Sequence, residues 1–210
     1  MNNRNHMRGL RGFTMIEVLV TMVIILIGLL GLVGLQARIQ KAQVEAYSRE
    51  QALVLLSDMV DRLNSNSKVG SCYALTTAAG SPYFGTASSA LPSCTGAGSA
   101  SQRATANADL AELDSLLQGA AEALSAAKIG SVSGARGCIA SAVNADSSVT
   151  YTLAVAWQGS SATAAVAAPA GATAATTTAL ACGTGLYGTD TNGVEMRRVA
   201  WTTVNIANLL

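Results

Sequence analysis

GFTMIEVLVTMVIILIGLLGLVGL, residues 12–35, is the stretch on which the reading of the chain turns. From Phe13 to Leu35 the only charged side chain is Glu17, and the 18 residues from Val18 to Leu35 are all uncharged. With Phe13 to Ile16 added, the run is long enough to cross a hydrocarbon core of roughly 30 Å as a helix. It reads as a membrane anchor. A removed signal peptide has an apolar core of only about 7–15 residues followed by a small-residue cleavage box, and Leu35-Gln36-Ala37 is a poor box.

On the N-terminal side, Arg4, Arg8 and Arg11 lie in a stretch without acids. On the other side Arg38 and Lys41 are followed closely by Glu45. The bias of positive residues favours a cytoplasmic N-terminus and a head across the membrane.

Glu17 is the residue that a plain anchor leaves unexplained. An ionised carboxylate inside a membrane helix costs on the order of 2.5–3.5 kcal/mol on insertion scales. No Lys, Arg or His lies between residues 13 and 35, so the counter-charge has to come from another chain or from a new amino terminus.

The string Gly12-Phe13-Thr14-Met15-Ile16-Glu17-Val18-Leu19-Val20 resembles the class III signal of type IV pilins and type II secretion pseudopilins: a basic leader ending in glycine, then phenylalanine, with glutamate four residues on. The resemblance implies cleavage after Gly12 by a prepilin peptidase on the cytoplasmic side and N-methylation of Phe13. It also implies an assembly role for Glu17. Residues 1–12 are then a removed leader. Losing Arg4, Arg8 and Arg11 from 13 basic residues leaves ten against 12 acids, a balance of −2.

An amine on Phe13 would be cationic near neutral pH. Pairing it with a neighbouring subunit's Glu17 relieves two desolvation costs and sets the axial register of a helix bundle. Positions 13 and 17 are also four apart, so a pair within one helix is equally open.

Gln36 to Asn64 contains no Gly or Pro, and Ile39, Ala42, Ala46, Leu53, Leu56, Val60 and Leu63 recur at helical steps. Glu45 with Arg49 and Asp58 with Arg62 have the spacing of i,i+4 ion pairs. One helix is expected from about Thr14 to Asn64. Its 13–35 half serves membrane and assembly, and its 36–64 half packs on a head. Gly28, Gly31 and Gly34 allow close helix approach or local stretching.

Residues 65–105, rich in Ser, Gly, Ala and Thr, read as a stapled loop. A second helix is expected over about 108–127, with Asn107 as cap and Asp109, Glu112 and Asp114 on a solvated face. Strands are expected over about 137–143, 149–158 and 197–206; in the second, Val149, Tyr151, Leu153, Val155 and Trp157 alternate with small residues. Residues 159–181 read as an exposed Ala/Thr loop. The resulting class is α+β, the type IV pilin fold of a long helix packed on a small antiparallel sheet. Gly137-Cys138-Ile139, Tyr151 to Trp157 and Arg197-Arg198-Val199 resemble the heads of pilus-modification (PilV-type) minor pilins.

The composition fits this division. The chain has 210 residues, 50% hydrophobic, 12% charged and 4% aromatic, and 39 are alanine. Four cysteines beyond a membrane span suit an oxidising periplasm. Three connectivities are possible, and Cys72 with Cys94 and Cys138 with Cys182 are the expected pairs, since the first brackets one loop and the second ties a strand start to the Ala/Thr excursion. One histidine, His6, excludes a Ser/His/Asp or Cys/His catalytic set, and a net charge of +1 gives no case for nucleic acid.

No catalytic residue, cofactor or metal is called for. The resemblance implies a minor pilin that helps to start a type IV pilus and sits near its tip. Its partners would be other minor pilins, the major pilin, the prepilin peptidase, the inner-membrane assembly machinery and a tip adhesin. It would reside in the inner membrane before assembly and in the pilus afterwards. The alternatives are a minor pseudopilin of a type II secretion system and a non-polymerising, membrane-anchored periplasmic binding module.

Overall fold

The structure is a computed structural model that describes residues 12–207 except 97, 122, 125, 126 and 129, with only the backbone of 123, 124 and 127. The expected leader residues Arg4, Arg8 and Arg11 lie outside the described residues. The elements run in the order α1 (Met15–Ser65), a 3-10 helix η1 (Ser67–Cys72), β1 (Phe84–Gly85), α2 (Ala100–Leu117), β2 (Ala123–Leu124), β3 (Ala127–Lys128), β4 (Arg136–Val143), β5 (Val149–Gln158), α3 (Ala174–Leu180) and β6 (Arg197–Ile206). The described residues form two compact units that divide between Val44 and Glu45, and α1 contributes to both. A long apolar N-terminal helix followed by a small antiparallel four-stranded sheet makes this a pilin-like α+β fold.

In the first unit α1 is the one described helix long and apolar enough to cross a membrane, and its most apolar window buries nothing within the chain. Unburied Leu, Ile and Val in such a run need lipid or other helices around them.

The head unit takes up α1 at Glu45, so its packed half is Glu45–Ser65 and not 36–64. The buried stripe also differs from the expected one. Ala52, Leu56, Met59 and Leu63 face the core, whereas Leu53 is 47% exposed. Steps of four, three and four keep that face on one side of the helix, and Leu53 lies about 100° round from Ala52.

The four-stranded sheet has the order β1-β4-β5-β6, antiparallel throughout. Period-two patterning gives it two different faces. Tyr151, Leu153, Val155 and Trp157 of β5, with Ile139 of β4, join the α1 stripe and Leu110, Leu113 and Leu117 of α2 in one core. Ala140, Ala154 and Ala156 point the other way and meet Ala175 and Ala179 of α3, with Cys138, Cys182 and Tyr187.

That second cluster corrects the reading of 159–181 as exposed loop. Its last part is α3, started by the Thr173 hydroxyl accepting from the Thr176 amide, and Ala175, Thr176, Ala179 and Leu180 are buried. Alanine on both surfaces allows a helix to lie close on a sheet.

The second helix is also corrected, from about 108–127 to Ala100–Leu117. Ser99 caps it, accepting from the Gln102 amide while the Gln102 side chain accepts from the Ser99 amide. This reciprocal capping box satisfies two of the free donors at the helix start. Asn107 is no cap; its Oδ1 accepts from the Cys94 amide and holds the preceding loop. Gly137 marks the tightest packing in the sheet, since a Cβ there would run into the Phe84 ring and Leu117.

Candidate functional site

The residues of the N-terminal motif are described within the first unit alone. Thr14 precedes α1 and caps it: its Oγ1 accepts from the Glu17 amide at 3.3 Å, and its carbonyl accepts from the Glu17 and Val18 amides at 3.1 and 3.3 Å. Thr14-x-x-Glu17 thus has the form of a capping box, which the sequence reading missed although the spacing is visible. It also gives Glu17 a local reason to exist, because a carboxylate in the first turn sits at the positive end of the helix dipole.

That local benefit does not neutralise the residue. Among the described residues no cation forms an ion pair with Glu17. Gly12 and Phe13 stand ahead of the helix, outside regular secondary structure; Phe13 is 85% exposed, and a Cβ on Gly12 would touch nothing. Gly28, Gly31 and Gly34 lie inside continuous helix, and a Cβ on any of them would meet nothing within 4 Å in this chain.

In the head, α1, η1 and α2 are joined by a polar hub around Arg62. Its Nε donates to Asp58 at 3.0 Å and its Nη1 to Asp109 at 3.1 Å and Glu112 at 2.9 Å. Asp109 also accepts from the Tyr73 hydroxyl at 2.5 Å, and Asn66 donates to both Tyr73 and the Gln102 carbonyl. Asp114 accepts from the Gly85 amide, Ser88 and Gln118. The expected solvated face is corrected for Asp109 and Asp114, which are half-buried and tethered by Arg62 and Tyr73 and by Gly85 and Ser88; Glu112 is exposed as expected, although it pairs with Arg62.

The electrostatics agree with the contacts. The hydrogen bond from Arg62 holds the Glu112 carboxyl below its usual range. Burial, and then the bond to Asp109, pushes the Tyr73 phenol up.

A second tether lies where α1 enters the head. The Glu45 carboxylate accepts from the Ser160 amide and hydroxyl and forms an ion pair with Arg198 of β6. The expected Glu45–Arg49 pair is not formed, because Arg198 and Ser160 satisfy Glu45 from the sheet side; Asp58 and Arg62 do pair. Cys72 is bonded to Cys94 and Cys138 to Cys182. The first closes the segment between η1 and α2, and the second joins β4 to the end of α3 across the alanine face.

Comparison with known proteins bears on the N-terminus. Residues 7–33 match the family model described as the prokaryotic N-terminal methylation motif. The match supports a prepilin-type N-terminus of the kind a prepilin peptidase processes, and the apolar helix that carries it is long enough for membrane anchoring. No curated protein and no solved structure matches the chain.

Proposed function

We propose that this protein is a minor pilin of a type IV pilus, of the pilus-modification (PilV-type) group, cut between Gly12 and Phe13 and methylated on Phe13. The observation that carries the reading is the methylation motif set directly on an apolar run, residues 13–35, whose single acid, Glu17, lacks a cation among the described residues. In this account the new amine of one subunit meets Glu17 of its neighbour, each charge supplying the partner that the other lacks in an apolar surrounding.

The protein is held in the inner membrane with its head in the periplasm until it joins other minor pilins, which together start a filament of the major pilin. Gly28, Gly31 and Gly34 allow neighbouring helices to approach closely during that transfer. The two disulfides suit the oxidising compartment in which the head folds.

The test is complementation of a deletion strain with wild type, Gly12→Ala or Glu17→Ala. Loss of surface pili in the deletion, restored by wild type and by neither variant, supports the reading. Normal pili with both variants contradict it. Pili intact but exoprotein secretion lost would transfer the protein to a type II secretion system.

A further inference from the structure

The sheet ends on β6, and among the described residues no strand pairs with its outer side. Which backbone groups are left open follows from the ladder. Ile139 of β4 exchanges hydrogen bonds with Thr76, on the side away from β5, so Ile139 and Leu153 form a non-hydrogen-bonded pair. Antiparallel pairs alternate strictly in an unbulged register. Leu153 and its alternates Tyr151, Val155 and Trp157 therefore bond toward β6, to Thr202, Val204, Ala200 and Arg198. The N–H and C=O groups of Val199, Trp201, Thr203 and Asn205 consequently point outward.

Natural edge strands are usually blunted by Lys, Pro, a bulge or brevity. β6 has ten residues in unbroken register with β5, and Val199 to Ile206 contains no charge, Pro or Gly. Trp201, Thr203 and Asn205 are exposed. Beside this edge runs a groove of about 540 Å³ lined by Glu45, Arg49, Leu53, Trp157, Arg198 and Ala200, with Val199 and Trp201 reaching it from the open edge.

The charge at the rim of the groove describes an occupant. Arg49 is exposed and pairs with no acid among the described residues, Glu45 being taken by Arg198.

We propose that the β6 edge and this groove bind an extended segment of a partner protein by strand addition. The segment pairs its backbone with Val199, Trp201, Thr203 and Asn205, lays apolar side chains against Leu53 and Ala200, and sets an acidic residue against Arg49. The inference does not rest on the pilus reading, since a tethered head of any function would carry the same edge.

The full-length chain is tested in the cells that make it, with a photoreactive phenylalanine derivative in place of Asn205. Because the Thr203 N–H points away from β5, Thr203→Pro removes an edge donor without removing a ladder bond. Thr203→Lys keeps every backbone bond and blunts the edge by charge, so it decides the matter if the proline variant folds badly. The proposal expects an adduct mapped by mass spectrometry to one extended, acid-bearing segment of another protein. Its yield should fall about tenfold in Thr203→Pro and Thr203→Lys and stay within about twofold in Thr203→Val. An adduct confined to a second copy of this chain, an undiminished yield in Thr203→Lys, or no adduct would overturn it.

Discussion

Glu45 of α1 and Arg198 of β6 meet at 2.6 Å, with the Ser160 amide and hydroxyl on the same carboxylate. This contact fixes where the helix becomes part of the head, since Glu45 is the first residue of that unit. Burial alone would raise the Glu45 carboxyl, but the Ser160 bonds and the Arg198 charge outweigh it and hold the group below its ordinary range. An acid with a depressed folded value stabilises above its unfolded value, near pH 4–4.5, and loses that contribution as pH falls through the folded one. Glu45 is 29% exposed, so the contribution is about 0.5–1 kcal/mol. Thermal unfolding of the full chain in detergent should show Glu45→Gln less stable than wild type at pH 7 and the difference shrinking below about pH 4. A gap that widens on acidification would refute this role.

Arg62 is the centre of a larger network. Substituting it with Met leaves Asp109, which is 17% exposed, with the Tyr73 hydroxyl but no cation, and removes the ion pairs between α1 and α2. A loss of about 2–3 kcal/mol in denaturant unfolding is expected for Arg62→Met, and about 1–2 kcal/mol for Tyr73→Phe. If Arg62→Met unfolds at the wild-type midpoint, the hub carries no stability.

The alanine face gives a prediction of opposite sense to the usual truncation. Ala179 is fully buried against Ala154 and Ala156. Enlarging it to Leu should destabilise by about 1–3 kcal/mol, because α3 cannot retreat while Cys182 is tied to Cys138. The same change at exposed Ala174 should be close to neutral. Equal effects at both positions would show that the cluster is not packed.

How much of this was open to inspection in the sequence depended on periodicity. The anchor and Glu17 were legible because a charge in an unbroken apolar run needs no tertiary knowledge to notice. β5 was legible because Tyr151, Leu153 and Val155 alternate with small residues. α3 was not, since Ala174 to Leu180 is apolar or small on every side and carries no 3.6-residue contrast. The start of α2 was hidden likewise: Ser99 and Gln102 form a capping box, but the turn-like Gly, Ser and Ala around them read as loop. The partners of Glu45, Asp109 and Asp114 come from segments remote in the chain, where local spacing says nothing, and a closer i,i+4 candidate such as Arg49 then looks better than it is. Thr14 as cap was legible in principle, and the conspicuous Glu17 drew attention away from it.

The disulfides make a separable prediction. In the chain-entropy view, closures spanning 22 and 44 residues contribute about 3 and about 4 kcal/mol. Replacing Cys138 and Cys182 together by Ser should therefore lower the melting temperature more than replacing Cys72 and Cys94. The reverse order would show that strain or residual unfolded structure, not loop closure, governs the head.

The amino terminus of the protein recovered from membranes distinguishes a processed chain from an intact one. Mass spectrometry of the N-terminal peptide should show a chain beginning at Phe13 and bearing one added methyl group, with Gly12→Ala retaining residues 1–12. An intact Met1 terminus, or cleavage anywhere past Glu17, would contradict the account.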